Sequence, residues 1–516
     1  MSRTVAGVFA FTLLAAPALA GQAPTPGTPE AATPTVALTL QEAERRALDR
    51  NPAIALARLG AQAASYTVAE SRAAYSPSFN LSMAQRSQTN PATSQLAGGQ
   101  QQVTSDMLNF GSGVTQPLPW GGGRVAVDFS GSRNATSNIF STYNPSFSSG
   151  ASVTLTQPLF KGLRFDAARA GIERADIDSD VADAGLRQEM ATTVAGVRRA
   201  YWELVYAGDA LDTARQSEAL AQRQFEDTRR RVELGTVAPV DTIEAEAEVA
   251  ARHHAVVQAE GAWRMAQVAL KQLLVSDAGD AIWSAWISPV DRPVHDSPAI
   301  DAQQAIARAV ANRADLQVAR QQREATGTTV TLLNDLRKPS VDLIAEYGVN
   351  GIGGTQILRQ AGALGSGIIG TSPGGYLDVL RSIGALDYPT WSLGVNVSVP
   401  LGTKASEAAY ARAQVEQRQQ ATRIQALELA VAGQVARIAE QVRSAEQQVR
   451  AAAAARELAQ KRLEAEEARR AAGLSTNFLV LQAQRDLAAA QTAELRARLD
   501  HRKALVDFEL VQEAPA

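Results

Sequence analysis

The chain contains no cysteine, which excludes disulfide staples, thiol catalysis, thiolate metal sites and a lipid-modified N-terminal cysteine. Aromatic side chains make up 5% of its 516 residues, too little bulky material for several large cores, so small side chains must do the packing. Neither sign of charge dominates. Fifty Lys and Arg stand against 53 Asp and Glu, a formal net charge of −3, and nothing electrostatic points to a nucleic-acid partner. Long apolar runs are missing too. The run from Val5 to Ala16, preceded by Arg3 and followed by Ala18-Leu19-Ala20, is too short to span a bilayer as a helix. It reads as a secretory signal peptide over residues 1–20, removed to leave a mature chain that begins near Gly21, outside the cytoplasm. Any membrane attachment must then come from the fold.

What the chain has in quantity is Ala, Gln and Arg in helical order, and a duplication. The stretch Arg231 to Ala245 has a second version at Arg469 to Ala483, with Gly235 and Gly473 at the same point. A long helical pattern runs up to each glycine and a pattern of about half that length follows it. Each glycine therefore reads as the turn of a helical hairpin, where the ending helix needs a residue that tolerates a left-handed backbone. Thr476 is placed to cap the returning helix of the second copy; in the first, Ala238 stands at the cap, Pro239 suits the first helical position and Asp241 puts negative charge near the N-terminus.

Residues 21–38, rich in Pro, Thr and Ala, read as an extended leader. Leu40 to Arg72 is helical, interrupted at Asn51-Pro52. Aligning Arg46-Ala47-Leu48 with Arg308-Ala309-Val310 brings Ile54 onto Leu316 and Pro77-Ser78 onto Pro339-Ser340. The duplication thus extends over the whole chain, dividing it into repeats at residues 39–296 and 297–516.

After Pro77 the period becomes two. Phe79, Leu81 and Met83 alternate with polar residues, as do Val125, Val127 and Phe129, and Val153 with Leu155. Trp391, Leu393, Val395, Val397 and Val399 do so most clearly, with Val341 to Tyr347 as the expected partner strand. This is the lipid-out, polar-in pattern of a membrane strand. Gln88 to Gln102, Arg133 to Gly150 and Asn350 to Pro389 read as Gly- and Ser-rich loops. Strands with unsatisfied edges cannot sit in lipid, and the strands are too few to close a barrel within one chain, so several chains must share one. Gln116-Pro117-Leu118, Gln157-Pro158-Leu159 and Val399-Pro400-Leu401 end the strand groups, since proline cannot donate to a ladder.

Proline-free helices are expected over Phe165 to Leu234 and Ala405 to Ala472, each on the order of 100 Å long at ~1.5 Å per residue. In the second, Val431, Val435, Ile438, Val442, Ala445, Val449 and Ala452 alternate spacings of four and three, the mark of left-handed supercoiling. Val194, Val197, Tyr201, Leu204 and Leu211 form a looser series in the first. Return helices span Pro239 to Val275 and Thr476 to Phe508. A connector from Ser276 to Ser297 carries Trp283, Trp286, Pro289 and Pro293.

The duplicated Arg-x-x-x-Gly turns at Arg231 to Gly235 and Arg469 to Gly473, followed by Ile243-Glu244-Ala245 and Leu481-Gln482-Ala483, resemble the outer-membrane efflux proteins typified by TolC. Asn51-Pro52 and Asn312-Arg313 fit the same pattern, and the resemblance covers roughly Thr39 to Leu510. It implies a membrane α+β fold: a trimeric outer-membrane β-barrel continuous with a long periplasmic α-helical coiled-coil tunnel, internally duplicated. The implied function is the outer-membrane channel of a tripartite efflux system, passing small molecules from an inner-membrane pump and a periplasmic adaptor to the exterior. The implied adaptor contact is Arg231, Gly235, Thr236 and Val237 in one tip and Arg469, Gly473, Leu474 and Ser475 in the other. Tunnel gate candidates are Asp241, Glu244, Leu479 and Gln482. Leu479 and Gln482 stand where acids are common in the family, so an apolar or hydrogen-bonded closure is expected rather than an acidic ring. The simplest family pattern has two strands per half, twelve in a trimer. Here four candidate segments fall in the first half and two in the second. The additional hairpin, centred on Pro119 to Arg124, either stays outside the membrane or enlarges the barrel to eighteen strands.

Enzyme chemistry finds little support. Gly365-Ser366-Gly367-Ile368-Ile369-Gly370 matches a dinucleotide-binding spacing without the strand–turn–helix context that aims amides at a pyrophosphate. His253 and His254 are adjacent on a helix and point apart, as metal ligands on one face would not. Asp176, Asp180 and Asp183 share a helical face, but acids near a helix start are favoured by its dipole. No cofactor or metal is therefore expected. Two alternatives stay open, the same duct serving type I protein secretion and a non-channel coiled-coil envelope scaffold; the alternating strands argue against the scaffold.

Overall fold

The computed structural model describes residues 34–92, 100–292, 300–360, 367–399, 401–402 and 404–512. The signal peptide, most of the leader, Pro293 and Pro400 lie outside them. The described chain begins with β1 (Thr35–Leu38), α1 (Leu40–Arg50) and α2 (Pro52–Arg72). Four strands follow: β2 (Ser78–Pro91), β3 (Gln102–Pro117), β4 (Arg124–Thr136) and β5 (Tyr143–Pro158). The first hairpin is α3 (Ala167–Glu233) and α4 (Val240–Leu274), and the connector holds α5 (Ala281–Ser284) and β6 (Trp286–Pro289). The second half comprises α6 (Ala302–Asn312), α7 (Ala314–Leu336), β7 (Ser340–Arg359), β8 (Ile368–Ser372), α8 (Tyr376–Gly384), β9 (Pro389–Ser398), α9 (Lys404–Ala471) and α10 (Asn477–Gln512). No described helix is long and apolar enough to cross a membrane.

Local chemistry sets the helix ends. Thr39 closes a reciprocal capping box with Glu42, Asn51 accepts from the Ala53 amide ahead of Pro52, and Asp301 accepts from Gln303 and Gln304. The duplication is visible in what is buried: Ala43, Ala47 and Ile54 are matched by Ala305, Ala309 and Leu316, none more than 1% exposed. Side chains this small let α1 and α6 lie close against α3 and α9 respectively. The heptad residues Val431, Val435, Val442, Ala445 and Val449 are all buried, as are Val197, Tyr201, Leu204 and Leu211. In the helical layer α3 packs against α2, α4, α7 and α10, while α9 packs against α6, α7 and α10. That leaves α2 and α4 along one margin and α9 along the other.

The main core gathers where the two halves of the first repeat meet, around Val197, Tyr201, Leu204, Leu270, Leu274, Ile282 and Ile287. Tyr201 is fully buried. Its hydroxyl donates to the Leu38 carbonyl at 3.0 Å and accepts from the Asp291 amide at 3.1 Å. Burial pushes its pKa up to about 12. Here the leader differs from expectation. Its last residues are not loose but form β1, paired in parallel with β6, because a strand depends on a partner that composition along the chain does not reveal.

The second sheet runs in the order β2-β3-β4-β5-β7-β9, with β8 paired to the far end of β7. Val341 to Tyr347 pairs with Trp391 to Val397 as expected. The loops read over Arg133 to Gly150 and Asn350 to Pro389 are largely structured instead: β4, β5, β7 and β8 extend into them and α8 crosses over the sheet. Gly351 and Gly353 look like loop residues by type, but a Cβ on either would run into Val379 of α8. They are clearance for a helix lying on strands. Tyr376 of α8 stacks edge-on against Phe110 and Phe147, and the Ser149 hydroxyl bonds to its phenol at 3.1 Å. The strand-ending glutamines have a definite job. The Gln116 amide donates to Tyr75 and Pro117 carbonyls, and that of Gln157 to Gly121 and Pro158.

The hairpin tips as a candidate docking site and gate

Each long helix ends the same way. The Gly235 amide donates to the Val232 carbonyl at 2.9 Å and the Thr236 amide to the Arg231 carbonyl at 2.9 Å; Gly473 donates to Arg470 at 3.0 Å and Leu474 to Arg469 at 2.8 Å. This paired pattern satisfies the orphan carbonyls of the last turn and requires a left-handed residue between them. Gly235 has φ +73° and Gly473 φ +75°. The Arg-x-x-x-Gly spacing is thus the distance from the accepting carbonyl to the left-handed residue. The tips differ in their side chains. Thr236 adds a second bond to the Arg231 carbonyl through its hydroxyl, at 2.9 Å. In the other tip the Ser475 hydroxyl reaches back to Glu466 at 2.6 Å, and Arg469 meets the same carboxylate at 3.1 Å. The Ser475 bond, then Arg469, holds the Glu466 pKa below the usual carboxylate range.

Arg231 also faces Asp227 at 3.5 Å. The two tips of one chain lie near each other: the Arg470 pKa is lowered by burial first and by the positive charge of Arg231 second. Leu234, Leu474 and Phe478 are exposed at the tips, at 77%, 74% and 55%, leaving apolar surface beside the arginines. The α4 start is as read from sequence, shifted by one residue: Pro239 has helical backbone angles, and no side chain caps the helix. Of the gate candidates, Asp241 is half-buried, Glu244 and Leu479 are exposed, and Gln482 donates to Asp486 at 2.9 Å. Among the described residues no hydrogen bond joins any two of the four within one chain.

Sequence reading missed the polar lock above the tips. Glu248 of α4, 4% exposed, accepts from Arg252 on its own helix at 2.7 Å and from Arg485 of α10 at 2.6 Å. Burial raises its pKa, but the Arg485 and Arg252 hydrogen bonds outweigh that, and the net shift is downward. Asp486 on α10 pairs with Arg462 of α9 at 2.8 Å. One signal was available: Glu248 and Asp486 stand at equivalent places after Ala245 and Ala483, so both copies carry an acid there. His253 is paired with Glu218 at 2.7 Å and Asp176 with Arg72 at 3.1 Å. Among the described residues no cluster could hold a metal ion.

A model of the family described as outer membrane efflux protein matches residues 44–128, 124–275 and 305–510. The chain belongs to the outer membrane efflux protein family. This efflux protein resembles solved structures over nearly its whole length. A membrane protein from Pseudomonas aeruginosa is 18% identical with a TM-score of 0.65, covering 92% of each chain. The CmeC outer membrane channel of Campylobacter jejuni is 12% identical with a TM-score of 0.64, covering 92% of this chain and 85% of that one. The MtrE outer membrane channel of Neisseria gonorrhoeae, in its open state, is 17% identical with a TM-score of 0.60, covering 92% and 89%. At these identities the likeness establishes the fold. No curated protein sequence matches the efflux protein significantly.

Proposed function

We propose that three copies of this efflux protein form one passive conduit through the outer membrane and the periplasm, the exit duct of a tripartite system completed by a periplasmic adaptor and an inner-membrane pump. The observation that carries this reading is that, among the described residues, the sheet of one chain does not close on itself. Its two long outer strands, β2 and β9, are each paired on one side among the described residues and exposed at every position, and one face bears a band of exposed Phe, Val, Leu, Tyr and Trp suited to lipid. Unpaired edges in a bilayer cost several kcal/mol per polar group, so association is the way out. A duct of this kind moves solute without chemistry, in keeping with a family of channels rather than enzymes.

The periplasmic tips are the adaptor contact in this reading. Arg231, Gly235, Thr236 and Val237 with Arg469, Gly473, Leu474 and Ser475 offer two similar turns, each with exposed apolar residues and a guanidinium, to a hairpin partner. Asp241, Glu244, Leu479 and Gln482 lie just behind them and would narrow the opening of the assembled trimer. Deleting the gene should sensitise cells to small toxic compounds, and cysteines replacing Thr236 or Leu474 should cross-link to a periplasmic adaptor. Unchanged susceptibility together with no adaptor cross-link would refute the proposal.

A further inference from the structure

The strands carry a regularity that extends across all six long members of the sheet. Cross-strand pairing lines up Phe79, Val114, Val127, Val153, Tyr347 and Trp391 in one row, all exposed. The adjacent row on the other face is Asn80, Gly113, Asp128, Ser152, Gly348 and Thr390. The alternation is in phase from β2 to β9: β4 keeps it through Val125, Val127 and Phe129, and β3 carries Val114, Phe110 and Leu108 on the same face with Ser112 among them. These two strands lie between β2 and β5 in the hydrogen-bonded order, so they cannot stay out of the membrane without taking β2 with them. Their connecting turn, Leu118 to Gly123, is closed by the Leu118 amide on the Gly123 carbonyl at 2.8 Å and held by Gln157. It sits level with the ends of β5 and β7 that adjoin helices.

We infer that each chain contributes six membrane strands, and that β2 pairs antiparallel with β9 of the neighbouring copy to close an eighteen-stranded barrel. This rests on the three-chain reading above. Bringing the helix-adjoining ends of the two edges together sets Phe79 opposite Val397, Leu81 opposite Val395 and Met83 opposite Leu393 of the neighbouring copy, with Asn80 opposite Asn396 on the other face. Apolar meets apolar and polar meets polar from Phe79 to Met83, and farther from the helices Gln85 falls opposite Trp391. Within one chain Phe79 is level with Trp391, so this closure staggers the sheet by about six residues per chain and about eighteen around the ring. With ~3.3 Å per residue and ~4.8 Å between strands, that stagger corresponds to a tilt of about 35°, the range of membrane barrels. The barrel would be about 34 Å across its backbone, against about 22 Å for a ring of twelve. The edges continue below the sheet. α2 leads into β2 with Leu56, Leu59 and Tyr66 exposed, and β9 leads into α9 with Val415 and Leu429 exposed, so the same partner meets both layers.

The absence of cysteine makes the test direct. Leu81→Cys with Val395→Cys should yield a covalent trimer on oxidation, while Leu81→Cys with Trp391→Cys, displaced by about 13 Å at ~3.3 Å per residue, should not. A nitroxide at Val127→Cys should collide with oxygen dissolved in lipid, and one at Asp128→Cys with an aqueous nickel complex. A cross-linked trimer whose Val127 label reports water would overturn the eighteen-stranded ring while leaving the three-chain duct standing. A trimer by native mass spectrometry that fails to cross-link would overturn the edge pairing. A monomer in detergent would overturn the three-chain reading itself.

Discussion

Gly473 offers the sharpest separation of backbone from packing. Its φ is +75°, and a Cβ built there meets nothing within 4 Å. Replacement by alanine therefore costs only the left-handed conformation, about 1–2 kcal/mol, and a β-branched residue costs more. That energy can be relieved by opening the tip, which raises the open population by about 5–30-fold. The Leu474 amide, held to the Arg469 carbonyl at 2.8 Å, reports that opening directly. In Gly473→Ala its hydrogen exchange should accelerate by about that factor, while amides in β7 and β9 are unaffected. Gly473→Asn is the control, because asparagine tolerates the left-handed region. It should exchange and export nearly as the native protein does, whereas Gly473→Val should impair efflux with the trimer still in the membrane. Native exchange in the alanine variant, or equal damage from asparagine and alanine, would refute the conformational argument. Loss of the trimer would show that the turn governs assembly instead.

Three further changes probe other layers. Val395→Arg places a charge in the apolar band, where it should hinder insertion by about 2–4 kcal/mol near the bilayer midplane; Asn396→Arg on the opposite face should insert normally, and equal behaviour of the pair would contradict the assigned faces. Tyr201→Phe leaves the Asp291 amide without the hydroxyl that accepts from it, and should cost about 1–3 kcal/mol, read as faster exchange at Asp291. Glu248 has a folded pKa below its ordinary value, so its contribution to joining the hairpins is present at neutral pH and is lost as pH falls through that depressed value. Exchange protection around Arg485 should fall on acidification, and Glu248→Gln should remove that pH dependence.

The helices were the most legible part of the chain because their ends are written locally. Phe165 to Leu234 became Ala167–Glu233, and Ala405 to Ala472 became Lys404–Ala471, each stopped by a glycine whose conformation no neighbour has to impose. Alternation likewise exposed the helix-adjoining halves of the strands. The outer halves were hidden because Gly351 and Gly353 serve a contact with Val379 from a helix later in the chain, and glycine reads as loop when its partner is unknown. β1 was hidden for the same reason, its partner β6 being remote in sequence. At the tips the glycine turns were readable as motifs. The Glu248 to Arg485 pair was not: the repeated acid at Glu248 and Asp486 marks a position but no partner, and only the fold brings Arg485 within reach of Glu248.

The duplication bears on why closure in the proposed trimer would be intermolecular. The first repeat supplies β2 and α2 to one margin, and the second supplies β9 and α9 to the other, so the two halves face apart rather than toward each other. Between them, β5 pairs with β7 along nearly its whole length and α3 packs on α7 and α10, joining the repeats with the kind of contact that each outer margin still lacks. A further copy can extend that series, because its β2 repeats the apolar phase that β9 presents. Addition stops only when the accumulated stagger and curvature return the last edge to the first. The small side chains of the helices serve the same end, since a wall one helix thick must be sealed by close approach and not by a deep core.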